Sequence, residues 1–202
     1  MIYQFKVTLK DVGIPVWRRI QIESESTFEE LHYVLMASFD WLGYHLHEFE
    51  IRKTSGERSS NIRIGLPEGG SFDAKDSLLF HMNSPLAQSI DFGFPRFLHE
   101  KEEQLSAWFK MEKDRALYTY DFGDNWDHDI VLEKILEPEP HTLYPLCIKA
   151  KNDTPPEDSR MEMLDDEIDL KNPDWKVIVE DINDTFRTAH WKKDFLDRDH
   201  FI

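Results

Sequence analysis

The chain has 202 residues, 40% of them hydrophobic and 13% aromatic, which is enough apolar content for a core and excludes wholesale disorder. Its 40 acidic side chains outnumber 24 basic ones, for a formal net charge of -16. Such a surface repels anionic membranes and phosphate backbones, so direct nucleic-acid binding is disfavoured unless basic residues gather on one face. Cys147 is the only cysteine, which excludes a disulfide within the chain and a multi-thiolate zinc site. Between Leu146 and Ile148 it reads as a small buried hydrophobe. No apolar run approaches the ~20 residues of a membrane span, and a cytoplasmic location is the default. The length suits one domain over residues 1–202.

Tyr3, Phe5, Val7 and Leu9 alternate with polar residues, the period of a half-buried strand. "VWRRIQIE" repeats the pattern after a turn at Gly13 and Pro15, so the two segments form a hairpin. In "STFEELHYVLMASFDWL" the Thr27/Glu30 spacing is that of a capping box. Phe28, Leu31, Leu35, Phe39 and Leu42 recur at helical intervals, and Gly43 is a natural stop. "HLHEFEIRK" is a strand with His45, His47, Phe49 and Ile51 on one face. Residues 54–100 read as a surface excursion with one short strand at "NIRIG". A short helix at "EEQLSAWFK", strands at "ALYTYDF" and "WDHDIVLEKIL", and a strand at "LCIKA" follow. Residues 155–169 carry seven acids and one Arg, the signature of a solvated acidic loop. The last helix starts near Asn172 as cap and Pro173 at its first position, with Trp175, Ile178, Val179, Ile182 and Phe186 as its buried stripe. The fold class is α+β: a curved mixed or antiparallel, roll-like sheet of five or six strands covered by two to four helices.

The densest chemistry lies in "YTYDFGDNWDHDIVLEKIL". A three-residue loop, Gly123-Asp124-Asn125, sets Phe122 opposite Trp126, Tyr120 opposite His128 and Tyr118 opposite Ile130. It also places Asp121 opposite Asp127, like charges that need solvent or a cation. His128 on the apolar face reads first as a neutral core histidine bonded to Tyr120 or to backbone. Alternatively, His45, His47 and His128 converge if their strands are neighbours. Three imidazoles with an open position can hold a divalent metal such as zinc, whose water could act as a nucleophile. Arg18 on an apolar face needs a partner: Asp158, a hairpin Asp, or an anion in a pocket. No elbow-type serine, P-loop or dinucleotide fingerprint is present.

"VWRRI", "ELH", "ASFDW", "HLHEF", "YDFGDNWDH", "YPLC" and "PPED" occur in this order, and together they resemble the family named after the third open reading frame of a root-inducing (Ri) plasmid. Some of its members are labelled transposon passengers. The resemblance implies a compact α+β roll, and no established activity. It departs at Thr154, where the family often has a second cysteine, and at Ser159–Met161, where glycines are usual. Two-cysteine chemistry is therefore not expected. The reading this favours is a non-enzymatic binding or interaction protein for an unknown protein or small molecule, with an aromatic-lined groove near the 118–132 hairpin. Its candidate ligand-binding residues are Trp17, Arg18, Tyr120, Asp121, Asp124, Trp126 and His128. The alternatives are a metal-dependent hydrolase using His45, His47 and His128, and a mobile-element accessory protein.

Overall fold

The computed structural model describes residues 1–53, 62–66, 96–164, 168–188 and 191–192. Its strands are β1 (Ile2–Leu9), β2 (Val16–Glu23), β3 (His47–Lys53), β4 (Ile62–Gly65), β5 (Arg96–His99), β6 (Arg115–Tyr120), β7 (Trp126–Leu136) and β8 (Leu146–Lys151). The helices are α1 (Phe28–Phe39), α2 (Leu105–Trp108), α3 (Arg160–Leu164) and α4 (Trp175–Arg187).

Alternation dictates the sheet. β1 pairs antiparallel with β2, from Leu9 opposite Val16 to Ile2 opposite Glu23, as the hairpin reading requires. Its other edge pairs with β7. The full order is β5-β4-β3-β6-β7-β1-β2-β8, one open sheet that is mixed because β4 and β5 run parallel. It has eight strands among the described residues, more than the five or six expected. "RFLH" at β5 is too short to show a period, and it lies between Pro95 and a run of charges. Within the expected excursion, β4 and β5 join the sheet; residues 54–61 and 67–95 lie outside the described part.

One face of the sheet is apolar. Phe5, Val7, Ile20, Phe49, Tyr118, Trp126 and Ile130 are fully buried there. α1 covers this face with Phe28, Leu31, Leu35 and Phe39. Its capping box is present, with Thr27 and Glu30 bonding each other's backbone N–H groups. The helix ends before Gly43, because Asp40 takes the left-handed conformation (φ 54°) and caps it after Phe39. α4 packs on β8 through Ile178 and Ile182. It is capped by Asp174 and not Asn172, whose side chain is used by Asp153 and by the Asp174 amide. Trp175 therefore stands on the surface, 36% exposed, outside the expected buried stripe.

The 118–132 hairpin differs in register from the expected one. Tyr120 faces Trp126, Tyr118 faces His128 and Ala116 faces Ile130. The loop has five residues, 121–125, between β6 and β7. Asp121 and Asn125 are both left-handed (φ 56° and 53°), and the Asn125 amide closes the loop on the Asp121 carbonyl at 2.6 Å. The shift is two residues, so every side chain keeps its face. Phe122 leaves the strand and is 40% exposed. Asp127 faces Thr119, whose hydroxyl donates to it at 2.7 Å, so the expected like-charge pair does not form.

Trp126 is wholly buried and packs at 5.5 Å from Trp41, taking the core place expected beside Phe122. Trp126→Ala should cost about 3–5 kcal/mol by opening a cavity. Denaturant unfolding measures this; a loss under about 1 kcal/mol contradicts the packing described.

Candidate functional site

Three loops meet at one end of the sheet: 40–46 after α1, 121–125 in the hairpin, and 152–160 after β8. The left-handed Asp40 turns the chain off α1 and places Trp41 beneath the hairpin, stacked on Tyr120 at 5.4 Å. Trp41 Nε1 donates to the Pro155 carbonyl at 2.8 Å. Glu157 then joins all the parts. Its carboxylate accepts from Leu42 N at 2.8 Å, Gly43 N at 3.2 Å and the Tyr120 hydroxyl at 2.5 Å. Burial, with Glu157 adding to it, pushes the Tyr120 phenol well above its usual range, so it stays a donor. Asp124 accepts from the Arg160 amide at the start of α3, and the Arg160 guanidinium lies 4.8 Å above the Trp126 ring.

His45, half-buried, faces two carboxylates at this junction. Its Nε2 lies 3.0 Å from an Asp158 oxygen and 3.8 Å from one of Asp121. The ligand atoms of His45, Asp121 and Asp158 all fall within 4.8 Å of one another. Among the described residues this is the group of three or more that can hold a metal ion.

The other two histidines of the expected trio have separate partners. His47 is buried, its Nε2 2.7 Å from Glu100 Oε2, and its ring stacks on His32 at 3.6 Å. His32 Nδ1 in turn meets the Tyr118 hydroxyl at 2.7 Å. Burial, then the neighbouring His47, holds His32 well below its ordinary pKa, and burial raises Tyr118 well above its own. A neutral imidazole and a protonated phenol therefore share this hydrogen bond. His128 is a core histidine, as first expected: fully buried, with Nδ1 2.9 Å from the Trp126 carbonyl. Burial pushes it down to about 4.

Arg18 also departs from expectation. It is 2% exposed and has no carboxylate partner within hydrogen-bond reach among the described residues. Nε donates to Ser38 O, Nη1 to the carbonyls of Trp17, Lys151 and Asn152, and Nη2 to Thr154 Oγ1. Thr154 thus has a structural use of its own. Cys147 is buried as expected, and burial raises its thiol to about 11, far from a reactive thiolate. Trp17 lies on the opposite face of β2, paired with Lys151 at the end of β8.

Trp126, Tyr120 and His128 fill the core, so the surface at the loop end is polar. Sequence reasoning passed over Glu157, Glu100 and His32. Glu157 lies in the acidic stretch, and Glu100 in "HEKEEQ", where each reads as one solvated charge among many. His32 was detectable, since it falls on the apolar side of α1 one residue after Leu31.

The fold and this junction define an α+β protein with one open mixed sheet and a polar, loop-built site at its end. The chain belongs to the plasmid pRiA4b ORF-3-like family, whose model matches residues 1–199. It is 31% identical over 162 residues to an uncharacterized protein, y4hQ, of Sinorhizobium fredii, covering 78% of this chain and 66% of that protein, just under two thirds of its length. The fold is similar to the crystal structure of a protein of unknown function from Methanosarcina mazei Go1, with a TM-score of 0.63 and 33% identity over 89% of this chain and 87% of the other. No helix of the described residues is long and apolar enough to cross a membrane.

His128 makes the junction's stability pH-dependent. Its folded pKa, about 4, lies below an unfolded value of about 6.5. The contribution is complete above about 6.5 and is lost as pH falls towards 4. Between pH 7 and 5 the wild type should lose about 2 kcal/mol more than His128→Gln, as read from urea unfolding. Equal losses in the two proteins contradict the neutral, buried imidazole.

Proposed function

We propose that the chain is a non-enzymatic binding protein that takes a divalent cation at the loop end through His45, Asp121 and Asp158. One observation carries this reading: three ligand atoms from three separate loops lie within 4.8 Å. Metal bonds of about 2.1 Å place tetrahedral ligands about 3.4 Å apart. The separations of 3.0 and 3.8 Å bracket that edge, so small side-chain rotations complete the site. His45 Nε2 is shielded from solvent yet not aligned for a hydrogen bond, although Asp158 is near. One imidazole and two carboxylates suit zinc or manganese, with positions left for an external ligand. Tyr120 and Trp126 form the aromatic support behind the site, and Asp124 fixes its flank on α3.

A hydrolase reading needs a base near the metal-bound water. The adjacent carboxylate, Glu157, already accepts three hydrogen bonds, and this favours binding over catalysis. His47 and His128 are committed to Glu100 and to backbone, so the proposed ligand set shares only His45 with the three-histidine one.

Chelator-treated protein titrated with Zn²⁺, Mn²⁺ or Ca²⁺ should melt at a higher temperature. At a hundredfold excess over Kd, one site adds about 2.7 kcal/mol. Asp158 is exposed, so Asp158→Asn should fold normally and lose the shift, as should His45→Ala. No shift with any ion in the wild type contradicts the proposal.

A further inference from the structure

On the outer face of the sheet, the charge of the chain is locally reversed. A cavity of about 520 Å³ opens where β2 and β8 meet the start of α4. Trp17 and Trp175 line it, together with Lys149, Lys151 and Lys171, and its lining includes no carboxylate. Pairing of β2 with β8 sets Lys151 directly opposite Trp17 and Lys149 opposite Arg19. The Lys149 ammonium lies 5.8 Å from the Trp175 ring centre. Lys6 and Arg19 each lie 5.4 Å from that of Trp17. Arg19 is already paired with Glu133. Lys149, Lys151 and Lys171 form no ion pair among the described residues. The loop bearing Lys171 is held by Asn172, which bonds to the side chains of Asn152 and Asp153. The cavity is thus built in advance, and its two indoles come from separate elements.

We propose that this cavity binds a nucleotide, its base against the indoles and its phosphate among the three lysines. Indole faces take planar rings of any base, and lysine ammoniums take phosphate oxygens as point charges. On a chain of net charge -16 these three lysines make no ion pair among the described residues, and the two indoles meet cations and not the core. The volume lies in the range of small-molecule sites. A simple anion would use the lysines and leave the indoles idle. The occupant is a free mononucleotide and not a strand. Its phosphate stays within the Debye length of about 8 Å from the lysines. Further phosphates of a strand would extend past the three lysines and meet the overall repulsion of a chain of net charge -16.

The test is titration with adenosine 5′-monophosphate at 0.15 M salt, followed by tryptophan fluorescence and calorimetry. Adenosine, inorganic phosphate and a ten-residue single-stranded oligonucleotide serve as comparison ligands. Saturable binding is expected, with adenosine and phosphate each much weaker and with affinity falling as salt rises. Trp175→Ala should weaken it roughly 5- to 150-fold. Combined replacement of Lys149, Lys151 and Lys171 by Gln should abolish it. All four side chains are exposed, so these variants keep the fold, and unchanged melting curves check this. No binding at millimolar nucleotide, or binding that Trp175→Ala leaves unchanged, overturns the proposal. Tighter binding of the oligonucleotide than of the mononucleotide overturns the choice of a free nucleotide.

Discussion

The structure depends on one buried cation. Burying a guanidinium costs several kcal/mol, and a carboxylate is the usual compensation. Arg18 has instead the carbonyls of Trp17, Ser38, Lys151 and Asn152, the hydroxyl of Thr154, and the face of Phe39 at 5.2 Å. Burial lowers its pKa to about 10, so it remains charged at neutral pH. Neutral oxygens offset the cost only if all are held in place together. The requirement ties the end of α1, the edge strand β8 and the loop after it to a single side chain on β2.

That tie places the loop that carries Pro155, Glu157 and Asp158. Once Thr154 and Asn152 are fixed, Pro155 meets Trp41 and Glu157 meets Tyr120. Glu157 gathers two backbone amides and a phenol, a charge-assisted arrangement stronger than neutral hydrogen bonds of the same length. Asp158 then projects towards His45, and Asp121 approaches from the hairpin. The proposed cation site is therefore a consequence of how the core is closed at this end. The lysine and tryptophan cavity depends on the same edge from the other side, since Lys149 and Lys151 face outward from β8 while Ala150 and, across a register shift in the pairing with β2, Cys147 face the core.

Local signals were legible in the sequence. Alternation in β1 and β2 fixed their faces and pairing, and the Thr27/Glu30 spacing fixed the start of α1. The apolar faces of β6 and β7 were also correct, because a two-residue shift preserves side-chain parity. Signals that depend on uncommon backbone states were not legible. The five-residue hairpin loop requires two left-handed residues, Asp121 and Asn125, and α1 stops at another, Asp40. Backbone acceptors leave no mark in a sequence, so Arg18 seemed to need an acid. Charges inside acidic runs also look alike, which hid Glu100 and Glu157. Trp175 reached the surface because α4 begins after Asp174, later than the Asn172-Pro173 pair suggests.

The central claim is that Arg18 holds the 152–160 loop and, through Glu157, the 40–46 loop. Amide hydrogen exchange of Leu42 and Gly43 reads this directly, since both donate to Glu157 and lie outside the sheet. Local opening should be slow in the wild type and faster in Arg18→Lys, whose ammonium cannot reach all of the same acceptors, while amides of β6 and β7 stay protected. Unchanged exchange of Leu42 and Gly43 in that variant, with the 152–160 amides also unchanged, would show that the loops are held without Arg18.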